Sequence, residues 1–320
     1  MYNGAAYIEH CADYLRAQTF DDFDVVFSVD VRSEDGSVEL ARKTADAMGN
    51  AAVVLQEDDL HLAGARNNGL RAATGRFVWF CDVDDAPCSE FLAEMVAKQA
   101  ESKAQVVVCA FLNVGPEGRI PEGRKGNWHS VVYTRDEAAA AIACDQIPVS
   151  TWTKLFDRQF LIDNELFFDD SFAEDIVHTF KVLDKVDTVC VYDRPLYAYR
   201  LTQNSICRTA EHRAKRTHAE LEAYRRADAV WKDDPMAAEI LKHNARLRMR
   251  SSGHMDLAGF LEYQKSDEAR EGYAKYFKGT PEGMLYRYLP RIYYYTEQVY
   301  FKLVYKRKGS RGMRKLRKNK

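Results

Sequence analysis

The stretch "RFVWFCDVDDAP", Arg76 to Pro87, runs four apolar or aromatic residues straight into three carboxylates, Asp82, Asp84 and Asp85, and a proline ends it. A short apolar run bounded by turn residues reads as a buried strand. The D-x-D step in extended chain puts Asp82 and Asp84 on the same side. Its neighbours on both sides decide the fold class. Upstream, "DVVFSVD" (Asp24 to Asp30) is rich in β-branched residues, and in "SEDGSVELARKTADAMGN" Val38, Ala41, Ala45 and Met48 recur at helical spacing before Gly49. "AAVVLQ" (Ala51 to Gln56) reads as a second strand and "GARNNGLRAATG" as a helix ended by Gly75. Downstream, Ser89 is placed to cap a helix whose inner face is Phe91, Leu92, Met95 and Val96, and "QVVVCAF" (Gln105 to Phe111) follows as a strand. Strands alternating with helices predict crossover units and an α/β fold built on a mainly parallel sheet.

A loop rich in Gly and Pro, "NVGPEGRIPEGRKGN", separates this half from the next. Thr134 and Glu137 form a capping box ahead of an Ala-rich helix that runs to Cys144. "TVCVYDRPLYAYR" (Thr188 to Arg200) reads as two short strands broken at Pro195. At the start, Asn3 is expected to cap a helix that buries Ile8, Cys11 and Leu15, with no strand in front of it. Beyond about Thr209 the pattern is helical. The expected organisation is a domain over 1–206, divided into halves at about 1–112 and 128–206, then a helical region over 207–301 and a basic tail over 302–320.

Composition narrows the class. Of the 320 residues, 46% are hydrophobic and 29% charged, the balance of a globular chain. No apolar run is long enough to cross a bilayer, and the start carries no signal-peptide pattern. Seven scattered cysteines with no C-x-x-C pair argue against a zinc knuckle or a disulfide framework, and for a reducing, cytoplasmic setting. The net charge of −2 conceals an asymmetry, because residues 302–320 hold ten Lys or Arg and no acid. A mildly acidic body argues against nucleic acid as the partner. Tyrosines clustered ahead of the basic tail suit an anionic membrane surface, which would make the chain peripheral on the inner face of a membrane; RNA binding would use similar chemistry, and a solvated tail is the competing reading.

In an open sheet of this kind, ligands bind beyond the carboxyl ends of the strands. Asp30 and the Asp82–Asp84 pair sit at such ends. Two hard oxygen ligands suit Mn²⁺ or Mg²⁺, which fills its remaining positions with waters and phosphate oxygens. A plain acidic turn is the competing reading of the same residues.

The order of short motifs resembles the family 2 glycosyltransferases, whose nucleotide-sugar domain has the GT-A fold. The residues that carry the resemblance are Tyr2-Asn3-Gly4, Ala17-Gln18-Thr19-Phe20, Asp22-Phe23, Asp30 with Asp35-Gly36-Ser37, Ala65-Arg66-Asn67 with Gly69, Ala73-Thr74-Gly75, and Asp82-Val83-Asp84-Asp85. It continues through "TWTKLF", the Glu174-Asp175 pair and "RPLYAYRLTQNSI", and so covers about Tyr2 to Ile206. The resemblance implies an inverting transfer from a nucleotide diphosphate sugar, of the uridine type, to a hydroxyl of a glycan or lipid-linked acceptor in cell-surface polysaccharide synthesis. It places Asp30 against the base of the nucleotide, Arg66 and Asn67 near the nucleotide or its diphosphate, and Asp82 near the ribose. Asp84 would hold the metal and Asp175 would be the general base. Trp152, Lys154, Glu174 and Arg200 are weaker candidates for the acceptor or diphosphate site. Glu174 also fits a capping box with Ser171. In the family an apolar strand precedes the position of Tyr2, and that strand is expected to be missing here. Two other functions remain in view: a non-catalytic or truncated binding module, and a haloacid-dehalogenase-type phosphohydrolase. The second is weakened by Ala86, which stands where that family has Thr or Val.

Overall fold

The computed structural model describes residues 1–58, 60–121, 127–143, 147–170, 174–201, 257–265, 270, 273–274, 278–296 and 299. The chain divides into two compact units, one holding residues 1–201 and the other the described residues from 257 on. The expected helices over 207–256, the basic tail and the Ser171 cap lie outside the described residues.

In the first unit, helix α1 (Ala5–Arg16) precedes strand β1 (Val25–Asp30), helix α2 (Ser37–Met48), strand β2 (Ala51–Gln56) and helix α3 (His61–Ala72). Strand β1 pairs in parallel with β2, as a crossover through α2 requires. Gly49 closes α2 at φ 76°, a left-handed position where a side chain would be strained. Ile8 of α1 packs with Phe27, Val29, Ala41 and Ala45 to form the core under this ladder.

The second ladder starts with β3 (Phe77–Trp79) and β4 (Ala86–Pro87), followed by α4 (Phe91–Ser102) and β5 (Val106–Val114). Strand β6 (Ser130–Thr134), helix α5 (Arg135–Ala143), a 3₁₀ turn (Thr151–Thr153), β7 (Lys154–Asp157) and α6 (Arg158–Asp163) come next. Helix α7 (Glu174–Lys185) and β8 (Thr188–Arg200) complete the unit. The strand order is β3-β7-β5-β8-β4, with β6 also on β8. Only β5 and β8 pair in parallel; the β3–β7, β5–β7, β4–β8 and β6–β8 pairs are antiparallel. The α/β class holds, and the sheet is mixed where a mainly parallel one was expected. The antiparallel pairs join strands far apart in the chain, β3 with β7, β5 with β7, β4 with β8 and β6 with β8, so their sense is set by the connections and not by the strands' own residues.

Two sequence expectations change here. The 188–200 segment is one continuous strand, because it bulges against β5 on either side of the Ala110–Pro195 pair, the extra residues lying on β8. Asn3 does not cap α1; Asp35 Oδ2 accepts from Ala5 N at 2.8 Å and Ser37 Oγ from Gly4 N at 2.9 Å, so the cap comes from the turn after β1. Helix α4 is treated alike, with Gln18 Oε1 accepting from Leu92 N at 3.0 Å while the Ser89 hydroxyl donates to Glu90 Oε2. The Thr134–Glu137 box forms as expected. Among the described strands β1 pairs only with β2, and Met1 lies along its other side, its carbonyl accepting from Asp30 N at 2.8 Å.

Candidate active site

The D-x-D-D run occupies the turn between β3 and β4, and both strands fix it. Asp85 is buried and committed to β8: its carboxylate accepts from the Tyr197 hydroxyl at 2.9 Å and from Arg200 N at 2.8 Å. Burial, with Asp82 adding to it, pushes the Asp85 carboxyl up to about 8. Asp84 is half-buried and, among the described residues, makes no hydrogen bond or ion pair with another side chain. Burial raises its pKa as well, with its own backbone N–H and then Arg200 opposing. A sheltered carboxylate that no other side chain holds is available to a cation.

Arg66 organises the rest. It lies on α3 with 6% of its surface exposed, and its guanidinium reaches three carboxylates. Nη1 donates to Glu174 Oε1 at 2.5 Å and to Asp175 Oδ1 at 2.7 Å, and Nη2 donates to Asp82 Oδ1 at 3.2 Å. The Phe168 ring covers its face at 5.3 Å. Burial would pull the guanidinium pKa down, but Asp175, Asp82 and Glu174 more than offset that and raise it. One cation against three anions leaves negative charge over. Burial accordingly pushes Asp82 up to about 6, and Asp175 and Asp84 push the same way against Arg66. Glu174 is raised too, by burial first and then by Asp175.

Asp175 stands in the first turn of α7, where the helix dipole favours a carboxylate. Its Oδ1 also accepts from the Thr151 hydroxyl at 2.6 Å. Oδ1 is thus held from two sides, and among the described residues Oδ2 has no partner. Thr151 is fully buried in the 3₁₀ turn before β7. Lys154 secures that turn from beneath, its Nζ donating to Pro148 O at 2.7 Å and Ser150 O at 2.5 Å. Burial draws the Lys154 ammonium down to about 7, with Asp175 opposing. Beside it Trp152 is a core residue, stacked on Tyr197 at 4.6 Å and Tyr199 at 5.4 Å.

The structure therefore brings together Arg66, Asp82, Glu174 and Asp175, with Asp84 two residues along the same turn. Other expected residues have other partners. Asn67 spends its amide on Phe168, donating to its carbonyl at 2.9 Å and accepting from its N–H at 2.8 Å. Asp30 is gripped by Arg32, with Nε at 2.8 Å and Nη2 at 2.6 Å, so its carboxylate meets a guanidinium where a base was expected. Arg200 donates to Tyr14 Oη at 2.5 Å and Gly118 O at 3.2 Å, tying β8 to α1 and the loop after β5. Thr151 and Arg32 were not singled out from the sequence. Neither carried a signal, since a hydroxyl in a turn and an Arg two residues past a strand are both commonplace.

Among the described residues no group of three or more His, Cys, Asp or Glu is arranged to hold a metal. The donor set does fit a cation that takes one or two carboxylates and fills its shell with water and phosphate oxygens.

Comparison with known proteins gives the family and the fold. A family model described as Glycosyl transferase family 2 matches residues 1–197. An uncharacterized glycosyltransferase of Bacillus subtilis, EpsJ, is 28% identical over 213 residues, covering 64% of this chain and 60% of that protein. The chain thus spans about 60% of the length of the curated relatives it matches first. Among solved structures, S. aureus TarS 1–349 in complex with UDP-GlcNAc superposes with a TM-score of 0.56 at 20% identity, over 88% of this chain and 90% of that one. The mannosyltransferase PcManGT of Pyrobaculum calidifontis, in complex with GDP-Man and Mn²⁺, gives 0.58 at 18% identity over 93% and 84%. At these identities the likeness is one of fold.

Proposed function

The chain belongs to glycosyl transferase family 2, and from that premise we propose that it moves a sugar from a nucleotide diphosphate donor to an acceptor hydroxyl with inversion at the anomeric carbon. The observation that carries this reading is the state of Asp175. One carboxylate oxygen is fixed by Arg66 and Thr151, and the other is left to take a proton. A general base needs this combination of fixed orientation and an open oxygen. Oδ2 removes the acceptor proton as the acceptor oxygen bonds to the anomeric carbon, and the bond from that carbon to the diphosphate oxygen breaks. The family match also sets aside the phosphohydrolase alternative.

Asp84 is the residue that would hold Mn²⁺ or Mg²⁺, with Asp82 beside it. The ion, when bound, supplies positive charge to the departing diphosphate. Arg66 is a hub that fixes the site's carboxylates rather than a free phosphate ligand, since all its contacts go to Asp82, Glu174, Asp175 and Phe168. A uridine diphosphate donor carrying a hexosyl or N-acetylhexosaminyl group is the one we propose, supported by TarS having been solved with UDP-GlcNAc. A glycan or lipid-linked acceptor in polysaccharide synthesis is the matching proposal on the other side.

Calorimetric titration with UDP in the presence and absence of Mn²⁺ tests the assignment. Wild type should bind at least about tenfold more tightly with the ion, and Asp84→Ala should abolish that difference. An unchanged ion dependence in the variant would remove Asp84 from the role.

A further inference from the structure

Helix α8 (Leu257–Tyr263) and helix α9 (Pro281–Tyr288) belong to the second unit. Helix α9 ends at Leu289, whose backbone (φ −132°, ψ 54°) leaves the helical region, and a second helical segment covers 290–296; Leu289 links the two, donating to Leu285 O at 3.0 Å and accepting from Tyr293 N at 2.9 Å. Pro290 has no N–H to give the Tyr286 carbonyl, and Gln264 Nε2 takes that acceptor at 2.7 Å. One face of this helical run is a core. Tyr286 and Tyr293 are buried against Phe260, with ring centroids 5.9 and 6.1 Å away.

The opposite face is apolar as well. Met284, Tyr288, Ile292, Tyr295 and Val299 recur at steps of three and four residues and are 51–70% exposed. A surface helix ordinarily turns its polar side outward. This one has an apolar stripe on each side, and only the inner stripe is covered among the described residues. Arg291, exposed, sits beside the outer stripe, whereas Arg287 lies over the ring of Tyr273, which packs against the inner core. The sequence that follows, residues 302–320, carries ten Lys or Arg and no acid. Apolar side chains in line with a block of positive charge complement one kind of surface, an apolar interior behind anionic headgroups. No described helix is long and apolar enough to cross a membrane, so the contact would be along the surface.

We propose that the stripe Met284–Tyr288–Ile292–Tyr295–Val299 is a docking face for an anionic lipid bilayer, to which the basic residues that follow in the sequence add electrostatic attraction. The inference is independent of the sugar-transfer reading, because vesicle binding is measured without donor or acceptor. The test is flotation of the full chain with phosphatidylcholine vesicles, alone or mixed with phosphatidylglycerol, at low and high salt. The chain should float with the mixed vesicles at low salt and not with phosphatidylcholine alone. The variant Tyr288→Ser/Ile292→Ser/Tyr295→Ser should bind at least about tenfold more weakly with an unchanged circular dichroism melt. A second variant, Arg291→Glu/Lys302→Glu/Lys306→Glu, leaves the apolar face intact and should also lose binding, which keeps the test decisive if the triple serine variant misfolds. Absence of flotation would overturn the proposal, and so would flotation that both variants retain. Sedimentation showing a dimer that the serine variant dissociates, while vesicle binding stays unchanged, would assign the stripe to a second copy of the chain and overturn it equally.

Discussion

Thr151 makes one polar side-chain contact, its hydroxyl to Asp175 Oδ1 at 2.6 Å, and that contact fixes which oxygen of the carboxylate stays open. A hydrogen bond to a charged group is worth about 1.5–3 kcal/mol, so Thr151→Val should lower kcat by roughly ten- to a hundredfold. The KM for donor should barely move, and Thr151→Ser should restore turnover. Steady-state kinetics of the three proteins check this, and a matched fall in donor affinity would point to a general distortion instead. The charged members of the cluster were legible in the sequence, because an Arg in "ARN", acids after an apolar strand and an acid pair opening a helix are distinctive in combination. Thr151 was not, because its partner lies 24 residues away and a lone hydroxyl has no spacing to betray it. Arg66 was legible as a site residue but not in its role. No sequence pattern shows that one guanidinium satisfies acids 16, 108 and 109 residues distant.

Helix α7 carries both Asp175 and the group that seats the helix. His178 is buried, stacked on Phe168 at 3.8 Å, and its Nε2 bonds Leu166 O at 3.0 Å. Burial holds the imidazole pKa down at about 3, although Leu166 O and Asp175 favour the proton. A depressed folded pKa gives stability that is complete above the unfolded value of about 6.5 and is lost as pH falls toward 3. Between pH 7 and pH 4 the wild type should therefore lose about 3 kcal/mol relative to His178→Met. Urea melts of both proteins at the two pH values measure it, and parallel losses would refute the buried neutral imidazole. The elements themselves were mostly readable from periodicity and capping signals. What escaped were features that depend on partners far along the chain. Asp35 and Ser37 cap α1 from outside it, Gln18 caps α4 from 74 residues away, and β8 continues through Pro195 by bulging against β5. Strand direction escaped for the same reason, since pairing sense is set by connections and not by the strands' own residues.

At the scale of the molecule, the described residues of the proposed sugar-transfer site lie on α3, the turn after β3, the turn before β7 and the start of α7, all in the first unit. Four separate segments meet there only because the mixed sheet sets the ends of β3 and β7 side by side in antiparallel register. Arg66 then draws α3, the Asp82 turn and α7 together. The proposed base role requires this arrangement to aim one oxygen of Asp175 at an acceptor, and Asp175→Asn tests it most directly. The substitution keeps an oxygen for Thr151 and removes the basic site. Donor binding by calorimetry and release of nucleoside diphosphate from the donor should be measured on the same preparation. Binding should stay within about threefold of wild type while turnover falls by two to four orders of magnitude, roughly the contribution of general base catalysis. Turnover retained at the wild-type rate would contradict the assignment of Asp175 as the base.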